Sequence, residues 1–436
     1  MDTQPRNQDM VRIFSAFNSR TWPDSIALHS IMMIGFNVGV GAVNYLFNLV
    51  MSILLNASDY SSFYSLMATL EILSVIAAAL HTSVTRYTSI QHARRTPGGV
   101  KAVWKYFLKR AIIIGLLGFI VLSVLSPVFS GFLNLSTNWY VMLLASSFVL
   151  MLVLPINYGV LRGLQRFIPM GGSSFLGAIL RLGIGVLLVY IGWGVYGGLV
   201  AHFLTHVLVI GLTLYFLKDV SRAPADKVEM HAAQSYIFYT MLALAAFNVL
   251  TNVDVILAKH YLDAEVAGSY AVIAVLGKIV YFLPGGIVIV MFPQTSKLHE
   301  SGASHLAVLM RATVFTLLLA GGITGIYWLF PELILDILYG GKYASVSPFL
   351  FKYGLAMTLF ALSFLVANYF LSINKTRIAF SAALAMALQV VLIIAFHADI
   401  NQIVNSVLIS AVVSVVLTTV FSYFAIARRP QTPSGV

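Results

Sequence analysis

Apolar segments long enough to cross a lipid bilayer recur along the whole chain and constrain its fold most strongly. A membrane-spanning helix needs about 20 mostly apolar residues, and twelve stretches of the sequence meet this condition. Backbone groups inside lipid must find their partners within the same segment, so these stretches are predicted to be helices. The twelve predicted spans are 27–54, 62–84, 108–132, 138–160, 170–192, 195–217, 234–257, 268–292, 307–330, 347–371, 377–397 and 403–426.

The composition supports a membrane protein. Hydrophobic residues make up 59% of the 436 residues and charged residues 9%, whereas a soluble domain has about 25% charged residues. The absence of cysteine excludes disulfides, thiolate metal sites and cysteine nucleophiles. A net charge of +11 would indicate a nucleic-acid partner in a soluble protein. Here the distribution of that charge indicates membrane topology instead, and no nucleic acid is expected to bind.

Basic residues alternate from one connection between spans to the next. Of the 26 Lys and Arg residues, 20 lie at the termini or in even-numbered connections, and the odd-numbered connections hold only Lys259 and Lys342. Cytoplasmic loops attract Lys and Arg, so both termini and the even connections are predicted to be cytoplasmic. We call this side of the molecule the even side and the opposite one the odd side. No cleaved signal peptide is predicted, because the first 25 residues lack an apolar core.

Two pairs of similar strings indicate an internal repeat. NYGVLRGLQRF, which starts at Asn157, ends the fourth span, and NYFLSINKTRI, which starts at Asn368, ends the tenth. SDYSSFYSLMA and AEVAGSYAVIA open the second and eighth spans and align Tyr64 with Tyr270, an offset of 206. Each half would contain an even number of spans, so we expect parallel repeats about an axis near the membrane normal.

The predicted fold class is therefore an all-α integral membrane protein with twelve transmembrane helices in two six-helix bundles. The bundles are predicted at 1–222 and 223–436, with the polar segment 218–233 as the linker. The sequence lacks a phosphate-binding loop, a His-Glu-x-x-His motif and a Gly-x-Ser-x-Gly motif. The connections are also too short for a catalytic domain, so we predict no enzyme, no catalytic residue and no metal site.

Charged residues within the spans are the first candidates for a functional site. A charge at the bilayer centre costs about 3 kcal/mol or more, so it normally faces a water-filled cavity or a partner. Lys278 in the eighth span is predicted to line a cavity. For Arg181 in the fifth span, a cavity and a snorkelling or structurally paired residue are equally good explanations. Glu71 in the second span is predicted to pair with a basic residue or to titrate.

Uncharged polar residues point to the same central region. Asn37, Asn44 and Asn48 lie on one face of the first span, where they would either hold helices together or line a cavity. The repeat offset of 206 makes Asn48 equivalent to Asp254 in the seventh span. This span is the most polar of the twelve and also contains Asn248. Polar groups at equivalent places in both halves favour a shared central cavity.

With these features, the chain resembles the polysaccharide flippases of the multidrug/oligosaccharidyl-lipid/polysaccharide (MOP) exporter superfamily. The likeness rests on the twelve spans in two halves, on LRGLQRF (161–167), and on DVILAKHYLDAEVAGSYAVIAVLGKIVYFLPGGIVIVMFPQTSKLHE (254–300). The resemblance implies an alternating-access transporter of the bacterial cytoplasmic (inner) membrane, with spans one, two, seven and eight around a central cavity. Its substrate would be a polyprenyl-diphosphate-linked oligosaccharide, moved outward for surface polysaccharide synthesis.

The resemblance also suggests roles for individual residues. Lys278 and Arg181 are the candidates for the diphosphate, since Arg binds phosphate bidentately and Lys acts as a point charge. The other candidate substrate-binding residues are Asn37, Asn44, Asn48, Tyr64, Tyr270 and Asn248. Glu71 and Asp254 are the candidates for coupling to H⁺ or Na⁺, and no further cofactor is expected. Membrane lipids are expected partners, and an association with polysaccharide biosynthesis proteins is left open.

A cation-coupled multidrug antiporter of the same superfamily is the main alternative. Its substrates are usually cations, so its cavity should be acidic, whereas the spans here hold Arg181, Lys278 and Lys352 against Glu71 and Asp254. A membrane-embedded glycan polymerase or ligase is a second alternative. Such an enzyme would need a large external loop, and the longest odd connection is too short for one.

Overall fold

In the computed structural model, residues 21–224, 226 and 234–427 are described, and this part of the chain contains helices and no strands. Eleven of these helices are long and apolar enough to cross a membrane, and one of them, Phe167–Phe216, has 50 residues. That helix turns back at Gly192 and Gly194, whose φ values of 96° and 51° favour glycine. It therefore contains two spans, and the predicted fold of twelve spans is confirmed. The chain termini, for which the charge pattern predicts a cytoplasmic location, lie outside the described residues.

The helices follow the chain in two sets. The first set is α1 (Thr21–Leu54), α2 (Ala57–Ala93), α3 (Pro97–Val124), the short α4 (Ser126–Phe132), α5 (Trp139–Gly163), α6 (Phe167–Leu188), α7 (Gly194–Phe216) and the short α8 (Lys218–Arg222). The second set is α9 (Gln234–Leu250), α10 (Val253–Tyr261), α11 (Ala264–Phe282), α12 (Gly285–Glu300), α13 (Leu306–Thr316), α14 (Gly322–Leu329), α15 (Pro331–Tyr339), α16 (Ser347–Ser372), α17 (Ala379–Ala395) and α18 (Ile400–Ala427). The pairs α9–α10, α11–α12 and α13–α14 each form one interrupted span.

The two halves repeat the same helix packing. In the first half α2 packs on α5, α1 on α6, α5 on α7 and α6 on α7. In the second half α11 packs on α16, α9 on α17, α16 on α18 and α17 on α18, which are the equivalent pairs. The predicted parallel repeat of two six-helix bundles is therefore present in the structure.

The halves meet mainly through α2 and α11. Residues 60–70 of α2 and 270–278 of α11 are all buried, and α2 also packs against α9 and α10. At Gly268 a Cβ atom would collide with the backbone of Ala57, so the absence of a side chain allows the two helix starts to approach closely. Both helices begin after an odd connection, so this closed contact lies towards the odd side.

Hydrogen bonds also join the halves at the odd side. The ammonium of Lys342 donates to the carbonyl oxygens of Ser52 at 2.9 Å and Leu55 at 2.6 Å, at the end of α1. The ammonium of Lys259 donates to the hydroxyl of Ser61 at 2.9 Å. Lys259 and Lys342 are the two residues that depart from the alternation of basic loops. Both reach from the second half to the first.

Towards the even side the halves separate. The face of α2 that carries Tyr64 and Glu71 continues to Ala78 at helical spacing, and Ala78 is exposed. On the opposing span, Phe282 and Leu283 are exposed just beyond Lys278. The structure is therefore closed at the odd side and open at the even side, and we call the open space between the halves the cleft.

Candidate functional site

An ion pair joins the two halves where the closed contact meets the cleft. Lys278 Nζ lies 2.9 Å from Glu71 Oε2. Each of these residues lies 14 positions after the first residue of its helix, Ala57 or Ala264, so they are equivalent in the repeat. Equal charges at such equivalent, adjacent positions would repel each other. The opposite charges instead hold the halves together, and pairing with a basic residue is one of the two roles predicted for Glu71.

The ammonium of Lys278 is buried behind the carboxylate of Glu71. The Lys278 side chain is 10% exposed and that of Glu71 is 48% exposed. Lys278 also donates to Asn252 Oδ1 at 2.6 Å and lies 5.1 Å from the ring centre of Tyr64, which is a favourable cation–π distance. The buried positive charge is therefore paired and hydrogen-bonded, as a charge within a membrane protein requires.

A break in the seventh span positions Asn252. The break separates α9 from α10, and Asn252 Nδ2 donates to the backbone oxygen of Asn248 at 2.9 Å, which orients its own oxygen towards Lys278. Helix ends leave carbonyl groups without helical partners, and one of these, that of Leu250, accepts a hydrogen bond from Gln389 Nε2 at 3.1 Å. Discontinuous helices of this kind are typical of binding sites in secondary transporters.

Asp254 follows the same break and is fully buried. Its Oδ2 accepts hydrogen bonds from the hydroxyls of Tyr270 at 2.7 Å and Tyr353 at 2.6 Å. Its Oδ1 has no hydrogen-bond partner among the described residues. Asp254 also lies in the first turn of α10, where the helix dipole favours a carboxylate. Asp254 is therefore fixed within the closed contact, whereas Glu71 faces the cleft.

A second basic group lies in the first half. The guanidinium of Arg181 donates to Asn44 Oδ1, lies 3.4 Å from His202 Nδ1, and covers the ring of Phe47 at 4.8 Å. Among the described residues no carboxylate forms a salt bridge with Arg181, although Glu71 attracts it electrostatically. Arg181 Nε is buried and has no hydrogen-bond partner among the described residues. Arg181 is thus a membrane-embedded cation that lacks a bonded counter-ion in the described structure.

The predicted site residues fall into three groups. The first group is the ion pair of Lys278 and Glu71 with its neighbours Tyr64 and Asn248. The second group consists of Arg181, Asn44 and Asn48. The third group, Asp254 and Tyr270, lies in the closed contact. Asn37 is exposed, and Asn48 Nδ2 donates to the Asn44 backbone oxygen at 2.9 Å. Tyr64 and Tyr270 are buried, so neither can contact a sugar in this conformation.

The sequence did not reveal the roles of Tyr353 and Gln389. Both are polar groups within the tenth and eleventh spans, and their partners lie 99 and 139 positions earlier in the chain. In the sequence, each is only a polar residue within an apolar helix. Many residues with a purely packing role show the same pattern. Asn252 had a stronger signal, because it belongs to the most polar of the spans.

The sequence matches the family of polysaccharide biosynthesis proteins over residues 50–348. The chain belongs to this family. The match covers the ion pair, the broken seventh span and Arg181. A comparison with curated proteins found no match. This membership agrees with the resemblance to the polysaccharide flippases that the sequence indicates.

Solved structures of MOP-superfamily transporters share the fold of this polysaccharide biosynthesis protein. An inward-facing multidrug resistance transporter of the MATE family is 12% identical with a TM-score of 0.72, over 88% of this chain and 94% of its own. An outward-facing structure of such a transporter is 15% identical with a TM-score of 0.61, over 91% and 95%. The lipid II flippase MurJ, in an inward closed conformation, is 16% identical with a TM-score of 0.64, over 90% and 87%.

Family and fold together show a multi-pass membrane protein of polysaccharide biosynthesis that has the fold of MOP-superfamily transporters. The structural neighbours are transporters and a flippase, which agrees with the prediction that the chain is not an enzyme. The cleft between the halves, with an interrupted helix and charged groups at its end, is the arrangement that such a transporter needs.

Proposed function

We propose that the protein is a flippase for polyprenyl-diphosphate-linked oligosaccharide repeat units, which it moves outward across the bacterial cytoplasmic membrane. One observation carries the proposal. Each half contributes one membrane-embedded cation: Lys278 of the second half is paired with Glu71, and Arg181 of the first half has no salt bridge to a carboxylate among the described residues. A site with cations from both halves fits an anionic head group, and a diphosphate offers several oxygens to both.

The surrounding groups suit a glycan attached to that diphosphate. The side chains of Asn37, Asn44, Asn48 and Asn248 are exposed or half-buried, and amide groups both donate and accept hydrogen bonds, as sugar hydroxyls require. Tyr64 and Tyr270 would join them only after the closed contact opens. The lipid tail of the substrate would stay in the bilayer while the head group passes between the halves.

Alternating access would proceed by rocking of the bundles 1–222 and 223–436 about their shared contact. With the even side in the cytoplasm, as the basic loops indicate, the cleft is open to the cytoplasm. The higher TM-score with the inward-facing MATE structure supports this direction. A potential that is negative inside favours outward movement of an anion by about 2.3 kcal/mol per charge per 100 mV.

Ion coupling is assigned to Glu71 and Asp254. One buried oxygen of Asp254 has no hydrogen-bond partner within the described part of the chain, and it would accept H⁺ or help to bind Na⁺. Glu71 faces the cleft and could exchange protons with water. An imposed H⁺ or Na⁺ gradient that accelerates flipping, and loses this effect in Asp254→Asn, is the expected result.

The substrate assignment is tested by flipping of a fluorescent polyprenyl-diphosphate-linked oligosaccharide in proteoliposomes. Lys278→Ala and Arg181→Ala are each expected to slow flipping strongly, because each removes one cation of the site. Lys297→Ala is the matched control, since this lysine is exposed and lies outside the site. Full flipping by both single variants and by the double variant would exclude the cationic site.

A multidrug antiporter is the second candidate, favoured by the MATE fold. Its test is efflux of cationic dyes from cells. Dye sensitivity of a deletion strain whose surface polysaccharide is normal would support the antiporter and exclude the flippase.

A further inference from the structure

We infer that Glu71 is an internal counter-ion that the diphosphate of the substrate replaces on Lys278. In the empty protein Glu71 would occupy the anion site, and substrate binding would exchange one anion for another. This inference rests on the proposed function and adds a role for Glu71 within the same site. Glu71 would thereby determine how strongly the site discriminates between small anions and the lipid-linked diphosphate.

The hydrogen bonds of Lys278 limit where an anion can bind. An ammonium group has three donors. One is held by Asn252, which is 1% exposed, and the ammonium also faces the ring of Tyr64, which is 3% exposed. The remaining interaction is with Glu71, whose side chain is 48% exposed. An anion arriving through the cleft therefore meets this carboxylate first, and the direct way to bond with Lys278 is to take its place.

The charges favour the exchange for a diphosphate. Glu71 supplies one negative charge and is paired with Lys278, while Arg181 is a second embedded cation that has no salt bridge to a carboxylate among the described residues. The other nearby carboxylate, Asp254, is fully buried and fixed by two tyrosine hydroxyls. A diphosphate diester carries two acidic groups, so it can neutralise both cations where Glu71 neutralises one. A small anion with a single charge gains no such advantage over Glu71.

The exchange also changes what connects the halves. In the empty protein the pair of Glu71 and Lys278 is a direct bond between them. After exchange, the diphosphate would bridge Lys278 of the second half and Arg181 of the first. The displaced Glu71 already faces the cleft, so water can solvate it without movement of its helix. Substrate binding would thus release the direct bond while keeping the halves attached through the ligand.

Titration of the purified full-length protein with inorganic pyrophosphate tests this inference. Glu71→Gln removes the competing charge and keeps the side-chain shape, so we expect its Kd for pyrophosphate to fall about tenfold, which corresponds to about 1.4 kcal/mol. Adding Lys278→Met to Glu71→Gln should abolish the gain. Glu265→Gln is the matched control, because Glu265 is exposed in the first turn of α11 and should leave the Kd unchanged.

Weaker or unchanged pyrophosphate binding by a folded Glu71→Gln protein would overturn the inference. Should this variant fail to fold, Glu71→Asp is tested in the same titration. Its shorter side chain weakens the ion pair, so its Kd for pyrophosphate should fall, but by less than about tenfold. The outcome is separable from the proposed function. Tighter pyrophosphate binding without flipping of the lipid-linked oligosaccharide would keep the exchange and reject the substrate. Flipping of the oligosaccharide, together with an unchanged Kd for pyrophosphate in Glu71→Gln, would keep the substrate and reject the exchange.

Discussion

Replacing Lys342 by Met should open the odd side of the protein. Lys342 Nζ donates to the carbonyl oxygens of Ser52 at 2.9 Å and Leu55 at 2.6 Å, across the boundary between the halves. These carbonyls belong to the end of α1, where the helix dipole also attracts a cation. Methionine keeps the aliphatic part of the side chain and removes the charge. The closed contact would therefore lose its hydrogen bonds to Lys342 but keep its apolar packing.

The free-energy cost of Lys342→Met follows from the number of these hydrogen bonds and from their exposure to water. A hydrogen bond to a charged group contributes about 1.5–3 kcal/mol, and a cation at a helix C-terminus adds about 0.3–1 kcal/mol. Lys342 is exposed, so water replaces much of what is lost. We expect a net cost of about 1.4 kcal/mol for the closed contact, which shifts its equilibrium with the open form about tenfold.

The absence of cysteine from the chain makes this shift measurable. Ala68→Cys places a reporter on the buried face of α2 between Tyr64 and Glu71, where it is protected while the odd side is closed. In lipid nanodiscs, maleimide should label this reporter about ten times faster when Lys342→Met is added. Lys297→Met is the control for loss of an exposed lysine elsewhere. An unchanged labelling rate in a folded Lys342→Met protein would refute the role assigned to these bonds.

Three further predictions concern packing and stability. Gly268→Val should lower the melting temperature and speed labelling of the Ala68→Cys reporter, because its side chain would enter the backbone of the facing helix; labelling at the original rate would contradict this. Tyr353→Phe should cost about 1–3 kcal/mol of unfolding free energy by removing a hydroxyl from buried Asp254, and an unchanged melting temperature would show that the bond contributes nothing. The hydrogen bond from the Arg166 guanidinium lowers the pKa of Asp219 below its ordinary value. A lowered pKa stabilises the fold above the unfolded value, near 3.9, and this contribution disappears as the pH falls through the folded value. Asp219→Asn should therefore cost at most about 1 kcal/mol at pH 7, and the difference in melting temperature from the unaltered protein should vanish in acid.

The spans, the repeat and the transporter class could be predicted because they depend on properties that lie along the chain. Hydrophobic length defines each span, and the alternation of basic loops checks their number. Tertiary pairing is different, since Glu71 and Lys278 lie 207 positions apart. Their separation nevertheless differs by one position from the repeat offset of 206 given by the tyrosines. The repeat offset thus places Glu71 and Lys278 at nearly equivalent positions of two helices that meet near the repeat axis. Opposite charges at such positions indicate an ion pair.

The environment of Asp254 could not be predicted in the same way. Tyr270 lies 16 positions away on the next span, but Tyr353 comes from a helix 99 positions later. No pattern along one helix indicates that these hydroxyls converge on one oxygen. The convergence depends on how α16 packs against α11, and packing between helices is determined by the shapes of many side chains together. Likewise, Tyr64 and Tyr270 are buried between the halves, and this burial depends on which side is closed.

The distribution of basic residues also accounts for the closed odd side of the structure. Both halves carry basic even connections, such as Arg94 and Arg95 in the first half and Lys297 and Arg377 in the second. Bringing the even ends together would move like charges closer at a water-exposed surface, and this repulsion opposes closure. At the odd side the only two loop cations, Lys259 and Lys342, instead bond to neutral oxygen acceptors of the other half. The same charge asymmetry that orients a membrane protein during insertion would thus also bias its resting conformation, and an anionic substrate in the cleft would offset that bias.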